Sequence, residues 1–141
     1  MTTPAITPTE AVRRTIVEYG QFIDDRKLDA WVDLYCRDAV HEISGRRYEG
    51  HDELRAFMGA AFDRIPDLRH IMISSAIYVD GEAATATTDW MTFRRDAEGQ
   101  ATVASIGRWD DELRLEDGRW RFAHRRAFRW AGAPPAQPAQ N

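Results

Sequence analysis

The chain has 141 residues, 43% of them hydrophobic and 30% charged, with a formal net charge of −4; that length suits one domain with a core of its own. The arginines alternate with acids or with apolar positions and form no basic block, which argues against nucleic acid or a membrane surface as partner. No apolar run approaches the ~18 residues of a membrane span and no signal-peptide pattern opens the chain, so a cytoplasmic protein is expected.

Residues 1–6 carry no periodicity and are expected to be loose. "TPTEAVRRTIVEYGQFIDD" opens with a helix start: Thr7 can cap, Pro8 suits the first helical position, and Glu10 completes a capping box. Val12, Ile16, Tyr19 and Ile23 then form one apolar stripe. "LDAWVDLYC" reads as a second, shorter helix with Leu28, Trp31 and Leu34 or Tyr35 facing in. The single cysteine, Cys36, excludes an internal disulfide and reads as a small core residue. "AVHEISGRRYEG" reads as two short strands around Gly45. "HDELRAFMGAAFDRI" is a third helix with Leu54, Phe57, Met58, Ala61, Phe62 and Ile65 inward, stopped by Pro66.

Beyond Pro66 the period changes from near four to two. Strands are expected at about 68–79, 82–94, 101–115 and 119–130, joined by turns at Asp80-Gly81, Ala97-Glu98-Gly99 and Asp117-Gly118. The tail 131–141, rich in Ala, Pro and Gln, is expected to be flexible, leaving 1–130 as a single domain.

Helices followed by an antiparallel meander give an α+β domain. The expected shape is a cone-shaped barrel: three helices packed on a curved, mostly antiparallel sheet, hollow enough for a small hydrophobic substrate. The other face of the sheet carries Ile71, Ile73, Ile77 and Val79. One chain has too few helices to cover both faces, so a homo-oligomer, dimer or trimer, is expected through the sheet.

Within this frame, His70 in "LRHIM" stands at the mouth of an apolar strand. Such a position suits either a cavity-facing base or a hydrogen-bonded structural histidine. Asp89 falls mid-strand with Thr87, Met91 and Phe93: a second acid/base group if that face is the cavity, an interface residue if it is not. Alternation puts His124 with Trp120, Phe122 and Phe128 as a core or pocket-wall histidine, and Arg125 and Arg129 on the opposite face, in oligomer or surface salt bridges, with substrate-carboxylate binding by Arg129 as the lesser alternative. Inward aromatic and Met positions give the expected substrate-binding lining: Trp31, Tyr35, Tyr48, Phe57, Met58, Phe62, Met72, Trp90 and Phe128, together with Tyr19. His41-Glu42 and His51-Asp52-Glu53 lack the spacing of a helical zinc pair, so no metal is expected. Neither a Gly-rich phosphate loop nor a G-x-S-x-G elbow occurs, so nucleotide binding and serine hydrolysis are not expected.

The stretches "YGQFIDDRKLDAWVDLYCRDAV", "YEGHDELRAFM", "LRHIMISSAIYVDGEA" and "WDDELRLEDGRWRFAHRRAFRW" together resemble the SnoaL-like branch of the nuclear transport factor 2-like superfamily. In its scytalone dehydratase and hexachlorocyclohexane dehydrochlorinase types, an Asp ending the first helix pairs with a His near the start of the first long strand. The resemblance maps that pair onto Asp24 and His70. The second pocket histidine of the dehydratase has no match in "ATTDWMTFRR", and Ile23 stands where one of its tyrosines would be, so Tyr19, Tyr35 or Tyr48 would have to substitute. The resemblance implies a cofactor-free lyase of the dehydratase type, with His70 as base and Asp24 fixing its tautomer. The alternatives are a polyketide cyclase or ketosteroid-type isomerase, and a non-catalytic binding or oxygenase small-subunit module.

Overall fold

The computed structural model describes residues 4–65 and 67–132. Its elements run α1 (Pro8–Asp24), α2 (Leu28–Val32), β1 (Tyr35–Ile43), β2 (Arg46–Glu49), α3 (Gly50–Phe62), β3 (Leu68–Asp80), β4 (Ala83–Arg95), β5 (Ala101–Glu116) and β6 (Arg119–Gly132). Helix α1 starts where the sequence indicates: the Thr7 hydroxyl accepts from the Glu10 N–H at 3.2 Å, with Pro8 in the first turn. The Glu10 carboxylate pairs with Arg13 at 3.3 Å. Pro66, the expected stop of α3, most of the expected tail, 133–141, and residues 1–3 of the expected loose start lie outside the described residues.

All six strands form one sheet in the order β2-β1-β6-β5-β4-β3. The meander from β3 to β6 is antiparallel, and β1 joins β6 in parallel. Three helices therefore pack on a mixed, mostly antiparallel sheet, the expected α+β architecture. At two tight turns, consecutive left-handed residues, Ser44-Gly45 (φ 52° and 75°) and Asp117-Gly118 (φ 51° and 74°), reverse the chain with the twist that hairpins favour.

The second helix is shorter than the sequence suggests. Strand pairing captures the chain at Leu34, whose carbonyl accepts from the Phe122 N–H at 2.8 Å. Tyr35 then opens β1 opposite Phe122, so Tyr35 and Cys36 are strand residues, although both are buried as a helix reading also required.

Bulges redistribute side chains that strict alternation places wrongly. One extra residue in β3, between Met72 and Ser74, turns Ile77 and Val79 toward the helices. Ile71, Ile73 and Tyr78 remain on the outer face. An extra residue in β6 at Ala123 leaves Trp120 and Phe122 inside, moves His124 to the outer face, and brings Arg125 inside opposite Asp111. A second bulge near Trp130 follows, with Phe128 outside and Arg129 over the Trp90 ring at 5.9 Å. The core between sheet and helices is built from Val12, Ile16, Trp31, Leu34, Leu54, Trp109, Leu113 and Phe122.

Candidate active site

Glycine at position 20 sets the site geometry. A side chain there would place its Cβ 2.5 Å from Met72 Cε and 2.7 Å from His70 Cβ. Its absence lets α1 lie directly on β3. One turn later Asp24, the last residue of α1, reaches the strand and grips His70 twice. Asp24 Oδ2 accepts from the His70 main-chain N–H at 2.9 Å, and Oδ1 accepts from Nδ1–H at 2.7 Å. Both side chains are nearly covered, 9% exposed for Asp24 and 12% for His70. Neighbouring Asp25 is exposed and takes no part.

A carboxylate only accepts hydrogen bonds, so this contact assigns the ring proton to Nδ1. In the neutral ring Nε2 then carries the lone pair, and it has no hydrogen-bond partner among the described residues. That arrangement is what a general base requires: fixed ring, fixed tautomer, one free basic nitrogen. The Tyr19 ring stands edge-on to His70, with centroids 6.5 Å apart. Burial pushes the Tyr19 phenol up to about 12, against the opposing pull of Arg125, so it stays neutral near pH 7.

Behind Tyr19 lies a second polar group that alternation hides. Arg125 and Asp111 are both fully buried side chains, joined by two hydrogen bonds of 2.8 and 2.9 Å. The guanidinium lies over Trp109 (3.9 Å), Tyr19 (4.2 Å) and Phe122 (4.2 Å). Burial raises the Asp111 carboxyl, and Arg125 opposes that rise. His41 shares a 2.9 Å hydrogen bond with the Tyr35 hydroxyl; burial and the nearby Arg125 charge push it down to about 3, so it is neutral. Asp111 was findable in the sequence: it alternates with Trp109 and Leu113, and an acid at a core-face position demands a buried cation. Burial also pushes the Cys36 thiol up to about 12, which makes it a poor nucleophile.

The expected lining divides. Tyr19 and Met72 border His70. Trp31, Tyr35 and Met58 are buried in the core. Half-buried Phe57 stacks on Tyr48 at 4.3 Å, and Phe62 lies under Arg26. Trp90 stacks on Trp109 at 5.6 Å. Three residues expected in the interior lie outside it. Phe128 is 52% exposed on the outer face, turned out by the β6 bulge. Asp89 also faces outward, because Thr88 and Trp90 take the buried positions of β4, and it pairs with Arg108 at 2.6 Å. His124 is likewise outside, hydrogen-bonded to Glu42 at 2.6 Å.

The space beside the dyad is small. A recess of about 20 Å³ is lined by Ile23, Asp24, Arg26, Ile65, Asp67 and Leu68, room for about one water molecule. Arg26 closes one side: its guanidinium donates to the Phe62 carbonyl at 2.5 Å and the Ile65 carbonyl at 2.9 Å. Apart from Asp24, these wall residues were not among the expected lining: Ile23 and Ile65 read as core positions of their helices, and Arg26, Asp67 and Leu68 stand just after a helix or at the start of a strand.

The profile of the SnoaL-like domain family matches residues 4–126. The search of the curated proteins returned no match. Among solved structures, a point variant of Rv3472 from Mycobacterium tuberculosis, a protein of unknown function, is 25% identical with a TM-score of 0.78, covering 85% of this chain and 74% of that one. A Novosphingobium aromaticivorans protein provisionally named as a scytalone dehydratase is 16% identical with a TM-score of 0.74, covering 93% and 94%. From the same organism, a chain provisionally named as the beta subunit of an aromatic-ring-hydroxylating dioxygenase is 19% identical with a TM-score of 0.73, covering 86% and 88%. Family profile and fold agree: the chain belongs to the SnoaL-like domain family.

Proposed function

We propose that this protein is a cofactor-independent acid/base enzyme, a lyase of the dehydratase type acting on a small apolar, ring-bearing substrate. The observation that carries this reading is the 2.7 Å bond from His70 Nδ1 to Asp24, with Nε2 unpartnered among the described residues. Nε2 takes a proton from the carbon next to a carbonyl, and Asp24 stabilises the imidazolium so formed. The electrons of the C–H bond become the new C=C bond as the C–O bond breaks. The proton on Nε2 then leaves with the hydroxyl group as water, and neutral His70 is restored. Tyr19, neutral and edge-on to the imidazole, would hydrogen-bond the substrate oxygen. A positioned base of this kind contributes about 10²–10⁴ in rate.

A ring-bearing substrate needs more than the 20 Å³ beside Asp24, so binding requires the mouth formed by Arg26, Ile65 and Leu68 to open. The filled interior favours one competing reading, a non-catalytic module of the oxygenase small-subunit kind, in which the dyad is a structural clasp. The cyclase or isomerase reading loses Asp89 as its carboxylate, because Asp89 faces outward and pairs with Arg108, and is left with Asp24. Incubation with β-hydroxy ring ketones, followed by enone absorbance, separates the readings. Turnover by the wild type that is lost in His70→Ala and Asp24→Asn supports the lyase. Absence of binding by any ring ketone supports the module.

We also propose self-association through the outer sheet face, where Ile71, Ile73, Phe128 and Trp130 are exposed, Trp130 at 81%. Light scattering on the purified chain checks it: a dimer or trimer is expected in the wild type, and Ile73→Glu with Trp130→Glu should dissociate it.

A further inference from the structure

The more spacious of the two recesses lies away from His70. It is open, measures about 340 Å³, and is lined by Asp67, Arg69, Phe93, Arg94, Arg95, Gly99 and Ala101. That volume is within the ~300–1,000 Å³ of small-molecule sites. Register explains its composition. Arg69 lies opposite Phe93, and Arg95 lies opposite Ala101 where the β4–β5 turn begins. The β4–β5 pairing shifts register between Thr92 and Phe93, next to this corner. Gly99 and Ala101 are too small to fill the opening.

The charges in this recess do not balance. Three arginines line it against one carboxylate. Asp67 pairs with Arg95 at 2.6 Å and lies 3.8 Å from Arg69. Arg94 has no ion-pair partner among the described residues. Asp96 and Glu98 stand in the adjoining β4–β5 turn, where Asp96 accepts from the Glu98 and Gln100 main-chain N–H groups, so the excess of arginines is confined to the side chains that line the recess. Arginines around an aromatic floor suit an anionic group on a flat apolar body: the fork of the guanidinium takes the oxygens and the ring takes the body.

We propose that this corner is a second binding site, for a small carboxylate or phosphate ester carrying an aromatic ring. It shares only the Asp67 wall with the recess beside Asp24 and would serve as an effector or docking site.

Titration calorimetry on the full chain with phenyl phosphate, benzoate and inorganic phosphate tests the proposal. Saturable binding of phenyl phosphate or benzoate is expected, weaker for inorganic phosphate and weakened further by salt. Arg94→Ala and Arg69→Ala should each lower affinity about tenfold or more. Phe93→Ala should lower affinity for the aromatic probes and leave inorganic phosphate unchanged. His70→Ala should bind as the wild type does, which separates this site from the proposed active site. All these positions are at least partly exposed, and circular dichroism confirms that each variant folds. The proposal is overturned by no saturable binding, by binding indifferent to Arg69 and Arg94, or by loss of binding in His70→Ala. It is also overturned if Arg94→Glu dissociates an oligomer while the wild type binds no probe, because the corner would then be a contact between copies.

Discussion

Replacing Gly20 with Ala tests how the fold builds the site. In an open helix interior this change stabilises by about 0.5–1 kcal/mol, since alanine is the better helix former. At Gly20 the sign should reverse. The new Cβ would sit 2.5 Å from Met72 Cε and 2.7 Å from His70 Cβ. Met72 Cε is the end of a flexible side chain and can move aside. His70 Cβ is fixed to the strand, so α1 must rise by about 0.7 Å to reach ordinary van der Waals contact. The same displacement at Asp24 stretches its 2.7 Å bond to Nδ1 to about 3.4 Å, beyond the ~3.2 Å range of a good hydrogen bond. Overpacking of this kind costs about 1–3 kcal/mol, a fall in Tm of roughly 3–5 °C per kcal/mol for a domain of this size. Thermal unfolding measures the cost, and ¹⁵N shifts of the His70 imidazole measure loss of the fixed tautomer. A Gly20→Ala protein that is more stable than the wild type and keeps the Nδ1–H tautomer would refute the close-contact argument.

Arg125→Met leaves Asp111 buried without its cation and should cost about 3–5 kcal/mol in urea unfolding, whereas Arg125→Met with Asp111→Leu should recover most of that loss. His41 gives a pH signature. Its folded value, about 3, lies below the ordinary 6.5. Between those values the unfolded chain binds a proton that the folded chain excludes. The contribution is therefore complete above pH 6.5 and is lost as pH falls toward 3, by roughly 5 kcal/mol at most. His41→Gln should flatten that window in urea unfolding carried out as a function of pH. Tyr19 acts at the other end: with its phenol raised to about 12, stability should fall as pH climbs from 10, measured the same way, and Tyr19→Phe should reduce that fall, the rest coming from Tyr35 and Cys36, which burial also raises.

The β3–β6 meander was legible because Asp-Gly turns and period-2 alternation are local signals, and the strand ends fall within a residue or two of expectation. Helix α1 was legible from Thr7, Pro8 and its stripe. What sequence could not show is where the period slips. The bulge at Ala123 costs one residue of register and exchanges the faces of His124 and Arg125; the bulge after Met72 does the same for Ile77 and Val79. Both depend on pairing with a neighbouring strand, which no local pattern records. The α2–β1 boundary was lost for the same reason, since Leu34 is captured by Phe122, on the last strand of the sheet to be made. The Asp24–His70 contact was reached through family resemblance, and Gly20, which permits it, carries no signal of its own in the sequence.

The central claim is that His70 Nε2 takes a proton from carbon. The direct measurement is deuterium exchange next to the carbonyl of a ring ketone, 2-tetralone, followed by NMR in deuterated buffer. Wild type should accelerate exchange over buffer, and His70→Ala and Asp24→Asn, verified as folded, should each lose about 10²–10⁴ of that acceleration. Exchange at the buffer rate with wild type, or undiminished exchange with His70→Ala, would contradict it.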